Sequence, residues 1–226
     1  MELSNETQKK LERYVNLLVN YPVNLTAYKD VNSAYENLIL DSLIPIFSDN
    51  GFSSSKKVVD VGTGGGIPGL VWAICFPEKF FYLVESVKKK AAAIKSFIEE
   101  LNLKNVKVFD ERVEDFAKRY REYFDYATCR ALARGDIALE YLITPLVKIQ
   151  GLVSLFKGPN VFHDEWEYIQ KALNIFKLSQ EKIIEYEIEG GKKKRYLLIF
   201  KKLEKTAKIY PREKGIPKKY PIGESI

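Results

Sequence analysis

The segment Val58-Val59-Asp60-Val61-Gly62-Thr63-Gly64-Gly65-Gly66-Ile67-Pro68-Gly69 carries the clearest chemical signal in this chain. An apolar strand runs straight into a glycine loop, and a helix is expected behind it. Glycines let the backbone come close to a ligand, and a helix start offers free N–H groups to a polar or anionic group. Pro68 suits the first turn of that helix. Four glycines directly after an apolar strand point to a bound ligand more than to turn geometry alone.

Two ligand classes compete for such a loop. Gly64-x-Gly66-x-x-Gly69 formally satisfies the dinucleotide fingerprint. The register argues otherwise. In a dinucleotide site the first glycine follows the strand directly, whereas here Asp60 and Gly62 precede that match. The fuller pattern is Asp60-x-Gly62-x-Gly64-x-Gly66, with a carboxylate at the strand end. A carboxylate there suits a cationic amine, such as the amino-acid end of S-adenosylmethionine, and sits badly against a pyrophosphate. Glu85 ends the next strand, placed to accept hydrogen bonds from ribose hydroxyls. That supports a ribose without choosing between the classes. Hydride-transfer chemistry also lacks its residues: the only Tyr-x-x-x-Lys is Tyr210 to Lys214, in a proline-containing tail, and the single His163 has no partner pattern near it. The loop reads as a methyl-donor site.

The elements that must position this loop follow from periodicity. Leu11, Tyr14, Val15 and Leu18 recur at helical spacing, so Asn5 to Asn20 is an amphipathic helix that Pro22 ends. Ser33 and Glu36 form a capping-box pattern opening a second helix that turns Leu38, Ile39, Ser42 and Leu43 inward. Strands are then expected at 57–61, 80–85, 106–110, 124–129 and 152–156, alternating with helices at 67–76, 87–101, 114–120, 136–142 and 164–173. This alternation means a mostly parallel sheet covered on both faces. Residues 182–189, the Gly190-Gly191 turn and residues 195–201 form a hairpin that adds an antiparallel edge. The expected organisation is a helical lobe (1–50), a Rossmann-like α/β domain (56–203) and an extended basic tail (204–226).

Composition sets the outer bounds. Apolar residues make up 46% of the 226, enough to exclude intrinsic disorder and to bury one sizeable core. The longest apolar run, Gly69 to Phe76, is far too short for a bilayer, and the polar start lacks a signal-peptide core. Cys75 and Cys129 sit in apolar segments, so no disulfide framework is expected. A soluble, cytoplasmic chain is the expectation. The net charge of +6 divides unevenly. From Lys192 to Ile226 there are 12 basic and 3 acidic residues, whereas the preceding 191 hold 24 basic and 27 acidic. A slightly acidic body thus carries a strongly basic C-terminal segment, suited to phosphate contacts.

Taken together, these pieces resemble the bacterial 16S rRNA guanine-N7 methyltransferases, the RsmG or GidB family. The resemblance rests on Asn24-Leu25-Thr26, Leu40-Asp41-Ser42-Leu43, Asp60 to Gly69, Glu85-Ser86, Lys88-Lys89-Lys90 and Arg112-Val113-Glu114. It extends through Cys129-Arg130-Ala131, Lys157-Gly158 and the tail from Pro211 to Pro221. It implies a class I methyltransferase fold with a seven-stranded sheet, a donor of S-adenosylmethionine and no metal. It further implies a substrate in 16S rRNA, in the small subunit or its assembly intermediate, and a monomeric enzyme. By family pattern Gly62 and Ile67 line the methionine side, Val113 and Glu114 border the adenine, and Arg130 reaches the donor or its substrate side. The family usually carries Arg-His where this chain has Asn37-Leu38, so no role transfers to that pair.

Guanine N7 has an in-plane lone pair and needs no deprotonation before attacking a sulfonium methyl, so catalysis is alignment and electrostatics. That fits a chain with no evident general base, and no catalytic residue is assigned. The donor site is expected to use Asp60, Gly62, Gly64, Gly66, Ile67, Glu85, Val113, Glu114 and Arg130. Lys89, Arg112, Arg130 and Lys157, at or just after strand ends, are expected to hold RNA, as are Lys214, Lys218 and Lys219 of the tail. Asp41 has two readings: a lobe-to-core contact near the site, or a carboxylate fixing its helix to the sheet. Methylation of another RNA or a small molecule, and a non-catalytic RNA-binding role, remain alternatives.

Overall fold

The computed structural model describes residues 3–143 and 146–224; Met1, Glu2, Ser225 and Ile226, at the ends of the expected lobe and tail, lie outside them. Seven strands form one sheet: β1 (Lys57–Val61), β2 (Phe80–Val84), β3 (Val106–Phe109), β4 (Phe124–Arg130), β5 (Val147–Lys157), β6 (Leu178–Ile188) and β7 (Lys193–Lys202). Their order is β3-β2-β1-β4-β5-β7-β6. β1 to β5 pair in parallel, and β7 enters antiparallel between β5 and β6. The strand order reverses between β1 and β4, both running toward the glycine loop edge. In such sheets ligands bind outside the carboxyl ends of the strands at that reversal.

Helices cover both faces: α1 (Asn5–Asn20), α2 (Val31–Ala34), α3 (Asp41–Leu43), α4 (Asn50–Ser54), α5 (Gly69–Cys75), α6 (Lys88–Glu100), α7 (Val113–Arg119), α8 (Gly135–Ile143), α9 (Val161–Asp164), α10 (Trp166–Phe176) and α11 (Ile216–Lys219). On one face Leu11, Tyr14, Val15 and Leu18 of α1 share a core with Leu70 and Trp72 of α5, Ile94 and Phe97 of α6, and Val58. On the other, α7, α8 and α10 pack through Phe116, Leu139 and Ile169 against Val59, Ala127 and Val153. The N-terminal helices therefore lean on the sheet, and the Trp72 indole N–H donates to the Ser42 carbonyl at 2.8 Å, tying α5 to α3.

Some local expectations change. The second helix starts at Val31, because Asp30 rather than Ser33 is its cap and its carboxylate accepts the Ser33 N–H at 2.8 Å. That helix then widens into a π-helical stretch, Tyr35–Leu40, before α3. β5 begins five residues earlier than Leu152, accommodated by a shift in its register with β4 between Phe124 and Tyr126.

The largest change is in the tail, which is folded back rather than extended. Arg212 meets the fully buried Glu140 carboxylate through its backbone N–H at 2.9 Å, Nε at 3.0 Å and Nη2 at 2.7 Å. The Arg121 guanidinium donates to the carbonyls of Thr206 and Tyr210, and Gly223 N–H to Asp136. Pro217 and Ile222 are buried. The carboxylates that hold the segment lie on α8, some 70 to 90 positions upstream, so its local composition hides the docking.

Candidate active site

Two glycines of the loop answer different constraints. Gly64 has φ +62° with open space where a Cβ would sit, so its conformation alone calls for glycine. Gly65 is a packing glycine: a Cβ there would lie 2.4 Å from Leu18 Cδ1 of α1. The Tyr14 hydroxyl, also on α1, donates to the Gly65 carbonyl at 2.9 Å. The N-terminal helix thus braces the loop directly.

Asp60, at the end of β1, is buried, and its Oδ2 accepts from the Thr63 hydroxyl at 2.6 Å and the Gly69 N–H at 2.9 Å. Its Oδ1 is buried without a hydrogen-bond partner. Burial is the largest influence and pushes this carboxyl up to about 7, against the two hydrogen bonds that favour its charged form. Glu85, following β2, accepts from Gly64 N–H at 2.9 Å through Oε2 and from Val87 N–H at 2.8 Å through Oε1. Two carboxylates therefore grip the loop from both sides, and Ile67 is buried beside it.

Next to Gly62 lies a small cavity of about 50 Å³, lined by Val61, Val84, Ser86, Arg112, Val113, Leu132, Tyr141 and Lys218 among others. Glu114 is buried at the start of α7 and held by Arg112 in a two-pronged ion pair, Nη2 to Oε1 at 2.9 Å and Nε to Oε2 at 3.2 Å. Arg112, expected on RNA, thus stands beside Val113 and Glu114, the residues expected to border the adenine.

A larger cavity of about 640 Å³ opens at the ends of β4 and β5. Arg130 lines it, donating through Nε to Asp41 Oδ2 at 3.0 Å and through Nη2 to the Asn37 carbonyl at 2.8 Å. Asp41 is buried and also accepts from the Tyr186 hydroxyl at 2.8 Å, with Arg195 Nε at 3.8 Å. Burial and the Asp41 charge hold the Tyr186 phenol well above its usual range, which keeps it a donor. Lys157 lines the same cavity, its Nζ 2.5 Å from Glu165 Oε2. Both readings of Asp41 hold: it fixes its helix to the sheet and does so in a cavity wall.

The segment after β4 separates the two cavities. Arg130, Ala131, Ala133 and Arg134 face the large one and Leu132 the small one. Ala131 takes φ +54°, a left-handed turn seldom adopted by alanine, at the point where this switch occurs. Tyr186, Arg195, Glu165 and Tyr141 are cavity neighbours that the sequence did not single out. Lys89 is exposed in the first turn of α6, and Lys214 and Lys219 are exposed near the C-terminus. Lys218 is exposed as well but borders the small cavity.

A family model described as rRNA small subunit methyltransferase G, GidB, matches residues 7–199. The ribosomal RNA small subunit methyltransferase G of Petrotoga mobilis is 58% identical over 224 residues, covering 99% of each chain. Its counterpart from Thermotoga petrophila is 37% identical over 214 residues, covering 95% of this chain and 91% of its own. The chain belongs to this family. Membership makes it a methyltransferase. Among solved structures, an O-methyltransferase from Bacillus cereus in complex with SAH matches with a TM-score of 0.58 at 15% identity, covering 89% of this chain and 93% of its own. At that identity the likeness speaks for the fold, the Rossmann-like class I methyltransferase sheet expected from the sequence.

Proposed function

We propose that this chain transfers a methyl group from S-adenosylmethionine to N7 of a guanine in bacterial 16S rRNA, as a monomer in the cytoplasm. The observation that carries the reading is the pair of cavities flanking residues 130–134: one beside the glycine loop, one large and cation-lined. The first is narrow and borders the glycine loop on which the donor would sit. Asp60 Oδ1 is a buried acceptor with no partner, suited to an ammonium, and Glu85 stands at the ribose position of such sheets. Asp60, Gly62, Gly64, Gly66 and Ile67 would hold the amino-acid end, Glu85 the ribose, and Val113 with Glu114 the adenine side. When bound, the donor supplies an electrophilic methyl group on a sulfonium.

The chain's own residues then have a task of positioning. Guanine presents O6 as acceptor and N1–H and N2–H₂ as donors on its pairing edge. The large cavity offers matching groups: Lys157, Arg134 and Arg195 to donate, and Glu165 to accept. Both hydrogen bonds that Glu165 makes there, from Lys157 and Gly135 N–H, go to Oε2. Arg130 braced by Asp41 fixes the wall between methyl and base. No side chain is required to remove a proton, because N7 attacks through its lone pair. Exposed lysines, Lys89, Lys214 and Lys219, would contact phosphates of the RNA.

The reading is tested by supplying labelled donor with naked 16S rRNA, 30S subunits or tRNA and locating the label. The expected product is N7-methylguanine in 16S rRNA.

A further inference from the structure

Tyr141 lines the small cavity and is only 2% exposed; its hydroxyl makes no hydrogen bond of ordinary geometry, and its charged neighbours are Arg112 and Glu114. A buried phenol so weakly bonded gains from a ligand or water that meets it. Burial and the charge of Glu114 outweigh the nearby Arg112 and keep it protonated, so it is a competent donor. Its neighbour in sequence, Glu140, is the carboxylate that anchors Arg212. The same helix, α8, therefore lines the cavity through Tyr141 and holds down the segment that closes it. Six residues past Arg212, Lys218 lines that cavity with Gly62, Ser86 and Arg112.

We propose that the C-terminal segment is a wall of the methyl-donor site, and that the Tyr141 hydroxyl and the Lys218 ammonium bind the adenosyl half of the donor. This rests on the reading that the small cavity takes S-adenosylmethionine. Adenosine offers ring nitrogens and ribose oxygens as acceptors and an exocyclic amine as donor. A phenol can serve either kind, and an ammonium only donates. The cavity, at about 50 Å³, holds one or two waters rather than a purine. Lys218 is exposed on a flexible stem, so it can swing aside for entry and return without loss of core packing. Lys218 thereby leaves the set of tail cations assigned to phosphate.

The test is calorimetric binding of S-adenosylhomocysteine to the full-length chain and to Tyr141→Phe, Lys218→Met and the double variant, with 16S rRNA affinity measured in parallel. Tyr141→Phe removes one oxygen and keeps the ring, so the free variant unfolds at the same or a higher temperature than wild type. The expected result is a Kd raised about five- to tenfold by each single change, and rRNA affinity within twofold of wild type. Wild-type Kd values in both single variants would overturn the proposal, as would loss of rRNA affinity in Lys218→Met with unchanged Kd. If the wild-type chain itself bound no S-adenosylhomocysteine, the donor-site reading beneath it would fall as well.

Discussion

Arg130 and Asp41 form an ion pair, Nε to Oδ2 at 3.0 Å, that joins the end of the fourth parallel strand to the helix leaving the N-terminal lobe. Asp41 is all but buried, and Arg130 is about one-fifth exposed. The pair therefore does two things. It fixes the lobe against the sheet, and it stiffens the wall that separates the two cavities.

Removing the cation should be costly. Arg130→Ala leaves the buried Asp41 carboxylate with the Tyr186 hydroxyl at 2.8 Å and Arg195 only at 3.8 Å. Breaking a buried pair by deleting one partner destabilises by about 3 kcal/mol, readable as a lowered urea midpoint. Asp41→Asn combined with Arg130→Met should recover most of that loss, because no uncompensated charge then remains.

Gly65→Ala tests the bracing of the loop by α1. The new methyl would sit 2.4 Å from Leu18 Cδ1, so the buried Leu18 side chain, its helix or the loop must shift, destabilising by about 1–3 kcal/mol. The same variant should bind S-adenosylhomocysteine more weakly. Equal stability and equal affinity would show that α1 does not set the loop.

Asp60 should make donor binding pH-dependent. Burial lifts its folded-state carboxyl to about 7 from an ordinary value of 3.8. The native state then holds this proton more tightly than the unfolded one, so the stability it contributes is full below pH 4 and is lost as pH rises to about 7. A donor ammonium favours the carboxylate and pulls the value down. Affinity should therefore rise with pH up to about 7, with a proton released on binding at pH 6. Calorimetry in two buffers of different ionisation enthalpy measures that release, and Asp60→Asn should abolish it.

The basic segment calls for substitution rather than truncation. Deleting residues 208–226 would strip Glu140 of Arg212 and lower stability, mixing folding with RNA binding. Replacing exposed Lys205, Lys208, Lys214 and Lys219 by Gln leaves that anchor intact. It should weaken rRNA binding and flatten its salt dependence by about 0.7–0.9 for each phosphate no longer neutralised, with the S-adenosylhomocysteine Kd unchanged. An unaltered salt slope would remove these lysines from the interface.

The sequence showed best what is local. Strand, carboxylate, glycines and helix lie within a dozen positions, and Glu85 ends the neighbouring strand, so the loop and sheet could be read from periodicity and register. What was hidden depends on long-range pairing. Nothing near Glu140 announces Arg212, and nothing near Asp41 announces Tyr186 or Arg195, which arrive on β6 and β7. Ser33 looked like a helix cap because its spacing to Glu36 fits. Asp30, three positions earlier, supplies a charged acceptor to the Ser33 N–H and wins. Proline content made the tail look extended, whereas its backbone N–H groups at Arg212 and Gly223 dock on α8 carboxylates.

The most direct measurement is the position of the transferred methyl group. With labelled S-adenosylmethionine and 30S subunits or 16S rRNA, chemical cleavage at N7-methylguanine followed by primer extension should locate the label at N7 of a guanine in 16S rRNA. Label confined to tRNA, on another atom of the base, or absent from every RNA offered would contradict the account.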